Sequence, residues 1–178
     1  LGLITPKTIM EDSPFMKDED GKDWPVNASH KYTGNRTVAD AVAESINTIA
    51  VKTLDRVGID ESYRWMTEKF QFTSIQTSDR DYAPLALGGL TRGVSTYEMA
   101  AAYASFARYG IYTKPYLYYR IEDKNGNIIV SHGEDGEKIM SSATVYTMTE
   151  LMKGVVEKSN GTGTNAKIAG YDCAGKTG

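Results

Sequence analysis

Val38, Val42, Ile46, Ile49, Leu54 and Val57 recur at helical spacing, and the pattern predicts a helix opening at Thr37 and stopping at Gly58. Its start, Thr37-Val38-Ala39-Asp40, resembles a capping box with Asp in the usual Glu position. A second helix is expected from an Asp60 cap through Tyr63, Trp65, Met66 and Phe70. The Ser95-Thr96-Tyr97-Glu98 capping box opens a third that ends at Gly110, with Met99, Tyr103 and Phe106 on one face as core. A fourth helix runs over residues 142–158 with Val145, Met148, Met152 and Val156 aligned. Residues 116–122 and 127–131 are rich in β-formers and flank Lys124-Asn125-Gly126, the signature of a tight hairpin. Residues 1–36 carry Pro6, Pro14, Pro25, Gly21, Gly34 and a charged stretch over 17–23, and read as loop. Residues 159–164 read as a flexible loop and 167–178 as a returning strand. Helices mixed with an antiparallel hairpin suggest an α+β arrangement.

Composition narrows the classes. A chain of 178 residues suits one domain or a large piece of one. Ile, Leu, Val and Phe number only 34, but 12 Tyr and 7 Met add to the core supply, and the net charge is −3, so disorder is excluded. That charge, without any Lys/Arg cluster, argues against a nucleic-acid partner. The longest nearly apolar stretch, residues 83–90, is interrupted by Pro84, Gly88 and Gly89 and falls short of the roughly 20 residues a membrane span needs. Cys173 is alone, and His30 and His132 sit in polar contexts without acidic residues at metal spacing, so all three are expected to be structural or surface residues. The chain starts at Leu1 without a signal segment and stops at Gly178 without a polar tail, and is read as an excerpt of a longer protein.

The strongest local signal for chemistry is Lys176-Thr177-Gly178. Gly170 to Thr177 also satisfies G-x-x-x-x-G-K-[ST], the phosphate-cradling P-loop. A P-loop needs a buried strand before it, and residues 166–169 are short and polar; no hydrophobic run ending in Asp offers to hold magnesium. The competing reading pairs Lys-Thr-Gly with a Ser-x-Asn, which Ser45-Ile46-Asn47 supplies. On an uninterrupted helix residues i and i+2 lie about 200° apart, so Ser45 and Asn47 serve one site only if the helix breaks there. The alternative is a continuous amphipathic helix with two polar flanks.

Further stretches join these two: residues 3–6 (Leu-Ile-Thr-Pro), Trp24-Pro25-Val26-Asn27 leading to Tyr32-Thr33-Gly34, residues 37–49, Pro84-Leu85-Ala86-Leu87-Gly88-Gly89, residues 93–100, Gly154-Val155-Val156 with Gly161-Thr162-Gly163-Thr164, and Ala174 to Gly178. In this order they resemble the transpeptidase domain of a bifunctional, class A penicillin-binding protein along nearly the whole chain. The resemblance implies an α+β fold of the penicillin-binding protein and serine β-lactamase type, an antiparallel sheet packed with helices, incomplete in this chain. The family's motif set is S-x-x-K, Ser-x-Asn and Lys-Thr-Gly. The first is missing, since no Ser is followed three places later by Lys; Ser105 comes nearest, with Arg108.

The resemblance implies a partial transpeptidase domain over residues 1–178, with the acylated Ser, a glycosyltransferase domain and a membrane anchor outside it. The implied reaction cleaves the terminal D-Ala from a peptidoglycan stem peptide through an acyl-enzyme and passes the acyl group to a neighbouring amine. It implies penicillins as inhibitory ligands, the outer face of the bacterial cytoplasmic membrane as location, and no metal or organic cofactor. Carried over, Ser45 relays a proton to the leaving amine and Asn47 orients the substrate and the lysine of the missing S-x-x-K. Lys176 supplies positive potential for the substrate carboxylate, Thr177 a hydroxyl to bind it, and Gly178 room for close approach. A β-lactamase, a non-catalytic penicillin-binding homologue and a P-loop nucleotide-binding protein stay open as rivals. A sheet short of strands would leave exposed edges, and association with another fragment is expected.

Overall fold

The computed structural model describes residues 4–133 and 136–178, so Leu3 of the first matching stretch lies outside the described residues. In chain order the elements are β1 (Ile9–Asp12), β2 (Met16–Lys17), β3 (Asp23–Trp24), β4 (Gly34–Thr37), α1 (Val38–Glu44), α2 (Asn47–Val57) and α3 (Ile59–Arg64). A single π-turn over Trp65–Lys69 prolongs α3, and a short 3-10 turn, Thr77–Asp79, precedes α4 (Tyr82–Leu87). There follow α5 (Thr96–Ala107), β5 (Ile111–Tyr112), β6 (Arg120–Glu122), β7 (Ile128–Ser131), β8 (Glu137–Lys138), α6 (Ser142–Glu157) and a 3-10 turn at Thr164–Ala166. This is an α+β arrangement in which the helices carry the core.

Among the described residues the strands form two-stranded antiparallel ladders only: β1 with β4, β2 with β3, β5 with β8 and β6 with β7. The first 36 residues are therefore not wholly loop. Ile9 stands opposite Thr37 and Asp12 opposite Gly34, a pairing of distant segments that composition alone does not reveal. The expected strand at 167–178 does not form: residues 168–171 make a turn, with Tyr171 N–H on Ile168 O at 3.2 Å and Gly170 at φ +82°, Gly175 N–H donates to Met152 O of α6 at 3.3 Å, and no strand among the described residues pairs with the segment. The hairpin is as expected, β6 to β7 around Asp123 to Asn127, with Gly126 at φ +83°.

Two apolar clusters hold the helices. Met10, Val38, Ala41, Ile46 and Ile49 join β1 to α1 and α2, while Phe72, Ile75 and Ala102 bring the segment after α3 onto α5. α6 lies along α1 and buries Val145, Leu151, Met152, Val155 and Val156, and Lys158 at its end donates to Asp40 at 2.7 Å. Two details correct the sequence reading. α3 is capped by Gly58, with Asp60 inside its first turn. On α5, which ends at Ala107, Met99 and Tyr103 are exposed, and the buried face is Glu98, Ala102 and Ser105, small or hydrogen-bonded residues that allow close packing. No helix among the described residues is long and apolar enough to cross a membrane.

Candidate active site

The helix breaks where Ser45 and Asn47 require it. α1 ends at Glu44, Ser45 adopts φ 58°, ψ 49°, and Ile46 is extended before α2 begins at Asn47. Ile46 N–H reaches back to Ala41 O at 2.9 Å and Ser45 N–H to Val42 O at 3.3 Å. That pair of bonds is the Schellman closure, with Ser45 in the left-handed position that glycine usually takes. The break rotates Ser45 away from the helical register, so its hydroxyl leaves the α1 surface and meets Lys176 Nζ at 2.7 Å.

Each partner is tied down from a different element. Glu44 at the end of α1 pairs with Arg36 of β4 and accepts from Asn160 Nδ2 at 2.6 Å. Asn47 Nδ2 donates to Val26 O at 2.8 Å, which fixes the first turn of α2 to the 25–33 loop. Behind it lies Asp12, a carboxylate only 2% exposed. It accepts from Thr48 Oγ1 at 2.6 Å, Asn27 Nδ2 at 2.7 Å, and Thr33 N–H and Oγ1 at 2.7 and 2.8 Å. Burial pushes the Asp12 carboxyl up, but the hydrogen bonds from Thr48, Asn27 and Thr33 outweigh it and leave the group below its ordinary value. Asn27 Oδ1 in turn faces Thr48 N–H at 3.4 Å, near one of the free donors at the start of α2.

At the other end of the chain, Lys176 Nζ also contacts Thr177 O at 2.9 Å and Thr177 Oγ1 at 3.3 Å. Partial burial of the ammonium holds Lys176 below the usual lysine value. Thr177 Oγ1 lies 2.7 Å from Thr162 Oγ1. Ser45, Asn47, Lys176, Thr177 and Gly178 all line one cavity of about 600 Å³. Apart from Thr53 its remaining wall is apolar and includes Val42, Ile46, Leu54, Leu85, Leu87 and Leu151. A hydroxyl, an amide, an ammonium and a second hydroxyl thus converge at the rim of a greasy hollow, an arrangement suited to binding an anionic group and passing a proton along the Lys176–Ser45 contact.

All five residues singled out in the sequence come together. Those it missed are the supports: Asp12, which lies in no quoted stretch, and Asn27, Thr48 and Thr162, whose signal was their place in the stretches at 24–27, 37–49 and 161–164. The P-loop reading loses its frame, since no strand precedes residues 170–177 and Lys176 is turned to Ser45. Cys173 is half-buried with Sγ 3.8 Å from Tyr171 O, and His30 and His132 are exposed, the latter stacked on Tyr116.

Comparison with known proteins points the same way. The sequence matches the family described as the penicillin binding protein transpeptidase domain over residues 1–178. It is 34% identical to penicillin-binding protein 1A of Clostridium novyi over 98% of this chain and 21% of that protein. To penicillin-binding protein 1F of Bacillus subtilis it is 37% identical, over 92% of this chain and 22% of that protein. The chain therefore spans about a fifth of the length of these relatives. Among solved structures, the D,D-transpeptidase domain of a peptidoglycan glycosyltransferase from Eggerthella lenta superposes with a TM-score of 0.71, covering 98% of this chain and 48% of that one at 24% identity. Penicillin-binding protein 1A from Haemophilus influenzae gives 0.68 over 91% of this chain and 29% of that one, at 20% identity. At these identities the superpositions speak for the fold alone.

Proposed function

The chain belongs to the penicillin-binding protein transpeptidase family, and on that premise we propose that it forms part of a serine D,D-transpeptidase that cross-links peptidoglycan stem peptides. The observation that carries this reading is the 2.7 Å contact between Lys176 Nζ and Ser45 Oγ, which joins residues 131 positions apart at a break in the helix. The acylated serine lies outside these 178 residues, since none of their serines opens an S-x-x-K. The whole protein then acts at the outer face of the bacterial cytoplasmic membrane, with its anchor and a glycosyltransferase domain beyond this segment.

In the acylation step the external serine gives its proton to the lysine of S-x-x-K and attacks the carbonyl of the penultimate D-Ala, and the amide to the terminal D-Ala breaks. The leaving nitrogen needs a proton. Ser45 hands over its own and takes in turn the proton that the attacking serine released, while the contact with Lys176 Nζ holds its hydroxyl in place. Asn47, anchored on Val26 O, holds the acyl-side amide in line. Lys176 and Thr177 receive the terminal carboxylate, a charge-assisted contact strengthened beside the apolar cavity wall. β-Lactams enter the same site as carboxylate-bearing mimics and leave the serine acylated.

The test is release of D-Ala from a stem-peptide analogue by the full-length protein. Lys176→Ala and Ser45→Ala should each lower kcat/KM by about a hundredfold or more, the scale of losing a proton-transfer or charge-stabilising group. Wild-type rates in both would overturn the assignment.

A further inference from the structure

The loop after α6 is built to deliver one side chain. Gly161 N–H closes onto Lys158 O and Gly163 N–H onto Val155 O, each at 2.9 Å. The loop is pressed so hard against the end of α6 that a Cβ at Gly161 would stand 2.3 Å from Val155 O. Thr162, held between the two glycines, turns its N–H onto Ala43 O at 3.0 Å, one of the carbonyls left open by the end of α1 just ahead of Ser45. Its hydroxyl sits 2.7 Å from Thr177 Oγ1 and 3.3 Å from Ala43 O. Thr162 thus touches both the segment that ends in Ser45 and the segment that carries Lys176 and Thr177.

The hydroxyl accounting decides what this does. Thr177 Oγ1 has one proton and two lone pairs. The Lys176 ammonium is a donor only, and at 3.3 Å it occupies one lone pair. The single Thr162 proton has two acceptors in reach, Ala43 O at 3.3 Å, which also takes the Thr162 N–H, and Thr177 Oγ1 at 2.7 Å, and we infer that it goes to the nearer one. In that arrangement both lone pairs of Thr177 are filled, and its own proton points away from Thr162 and Lys176, outward to the cavity. With the Thr162 hydroxyl removed, the Thr177 proton is free to turn elsewhere.

We propose that Thr162 is a positioning residue that aims the Thr177 hydroxyl at the carboxylate of the substrate. The proposal rests on the reading of Thr177 as a carboxylate contact, and deepens it by naming what orients the donor. Because Thr162 acts through the anionic terminus alone, its removal affects acids and spares their esters.

The experiment compares acylation of the full-length protein by a penicillin with its free carboxylate and by the methyl ester of the same penicillin. Thr162→Val keeps the shape and the N–H but loses the hydroxyl. It should lower the second-order constant for the acid about tenfold, one charge-assisted hydrogen bond, and leave the ester within about twofold. Thr162→Ser restores the acid, and adding Thr162→Val to Thr177→Val costs nothing further. Wild-type reactivity of Thr162→Val with the acid, or equal losses on acid and ester, overturns the proposal. A Thr177→Val variant without acid-over-ester loss overturns the carboxylate reading itself and the proposal with it, so the two failures are told apart.

Discussion

A serine at φ 58° is a residue held against its preference. The left-handed region costs an L-residue about 1–2 kcal/mol and costs glycine nothing comparable. The same Schellman closure would form more easily with Gly, so the side chain at position 45 is there for what its hydroxyl touches, Lys176 Nζ. Ser45→Gly and Ser45→Ala should therefore both lose transpeptidase activity, yet Ser45→Gly should be about 1 kcal/mol more stable than Ser45→Ala by denaturant unfolding. Equal stabilities would show that the backbone carries no such strain. Asp12 is the complementary case, a charge kept underground by four donated hydrogen bonds. In Asp12→Asn the new amide N–H groups would face the donors Asn27 Nδ2 and Thr48 Oγ1, and the fold should lose about 2–3 kcal/mol. The break at Ser45 was legible in the sequence, because Ser45 and Asn47 can serve one site only off the helical register. The Asp12 cage was not, since its members are scattered over residues 12–48 and no spacing rule connects them.

At the scale of elements, α5 shows both the reach of pattern reading and its limit. Its capping box formed as written: Ser95 Oγ accepts from Glu98 N–H at 3.2 Å and the Glu98 carboxylate accepts from Ser95 N–H at 3.2 Å. The face chosen as core did not, because an i, i+4, i+7 stripe marks a side of a helix without saying what lies across from it. Here Met99 and Tyr103 stay at the surface, Tyr103 edge-on to Phe106, and Ala102 and Ser105 are the buried positions. Glu98 also reaches out of its helix, accepting from Thr73 N–H at 2.7 Å. That bond first, and the Ser95 hydroxyl next, hold its pKa down to about 2 from 4.5. A carboxylate depressed in the folded state stabilises fully above the unfolded value and loses its contribution as pH falls through 4.5 toward 2. Thermal unfolding across that window should show the wild type losing Tm more steeply than Glu98→Gln, which carries no such titration. Parallel slopes would contradict the role given to Glu98.

On the scale of the whole molecule, the helices make a framework that leaves much apolar surface uncovered. Leu117 is 88% exposed and Tyr171 75%, residues 167–178 pair with no strand among the described residues, and the cavity behind Ser45 and Lys176 is apolar over most of its wall. Surfaces and edges of this kind associate. Produced alone, residues 1–178 should bind a hydrophobic dye and elute above monomer size by light scattering; a dye-silent monomer would contradict this picture. The α+β class and helix order were readable from periodicity and caps. Apart from the β6–β7 hairpin the ladders were not, because they join segments whose pairing is set by tertiary contacts such as Asp12 to Thr33.

The central claim is that Ser45, Asn47, Lys176 and Thr177 serve a nucleophile outside these residues. Intact-mass spectrometry of the full-length protein with a penicillin, followed by peptide mapping, tests it most directly. The account predicts one stable adduct on a serine outside residues 1–178, formed about a hundredfold or more slowly in Lys176→Ala. An adduct on a residue within 1–178, or none on the folded full-length protein, would contradict it.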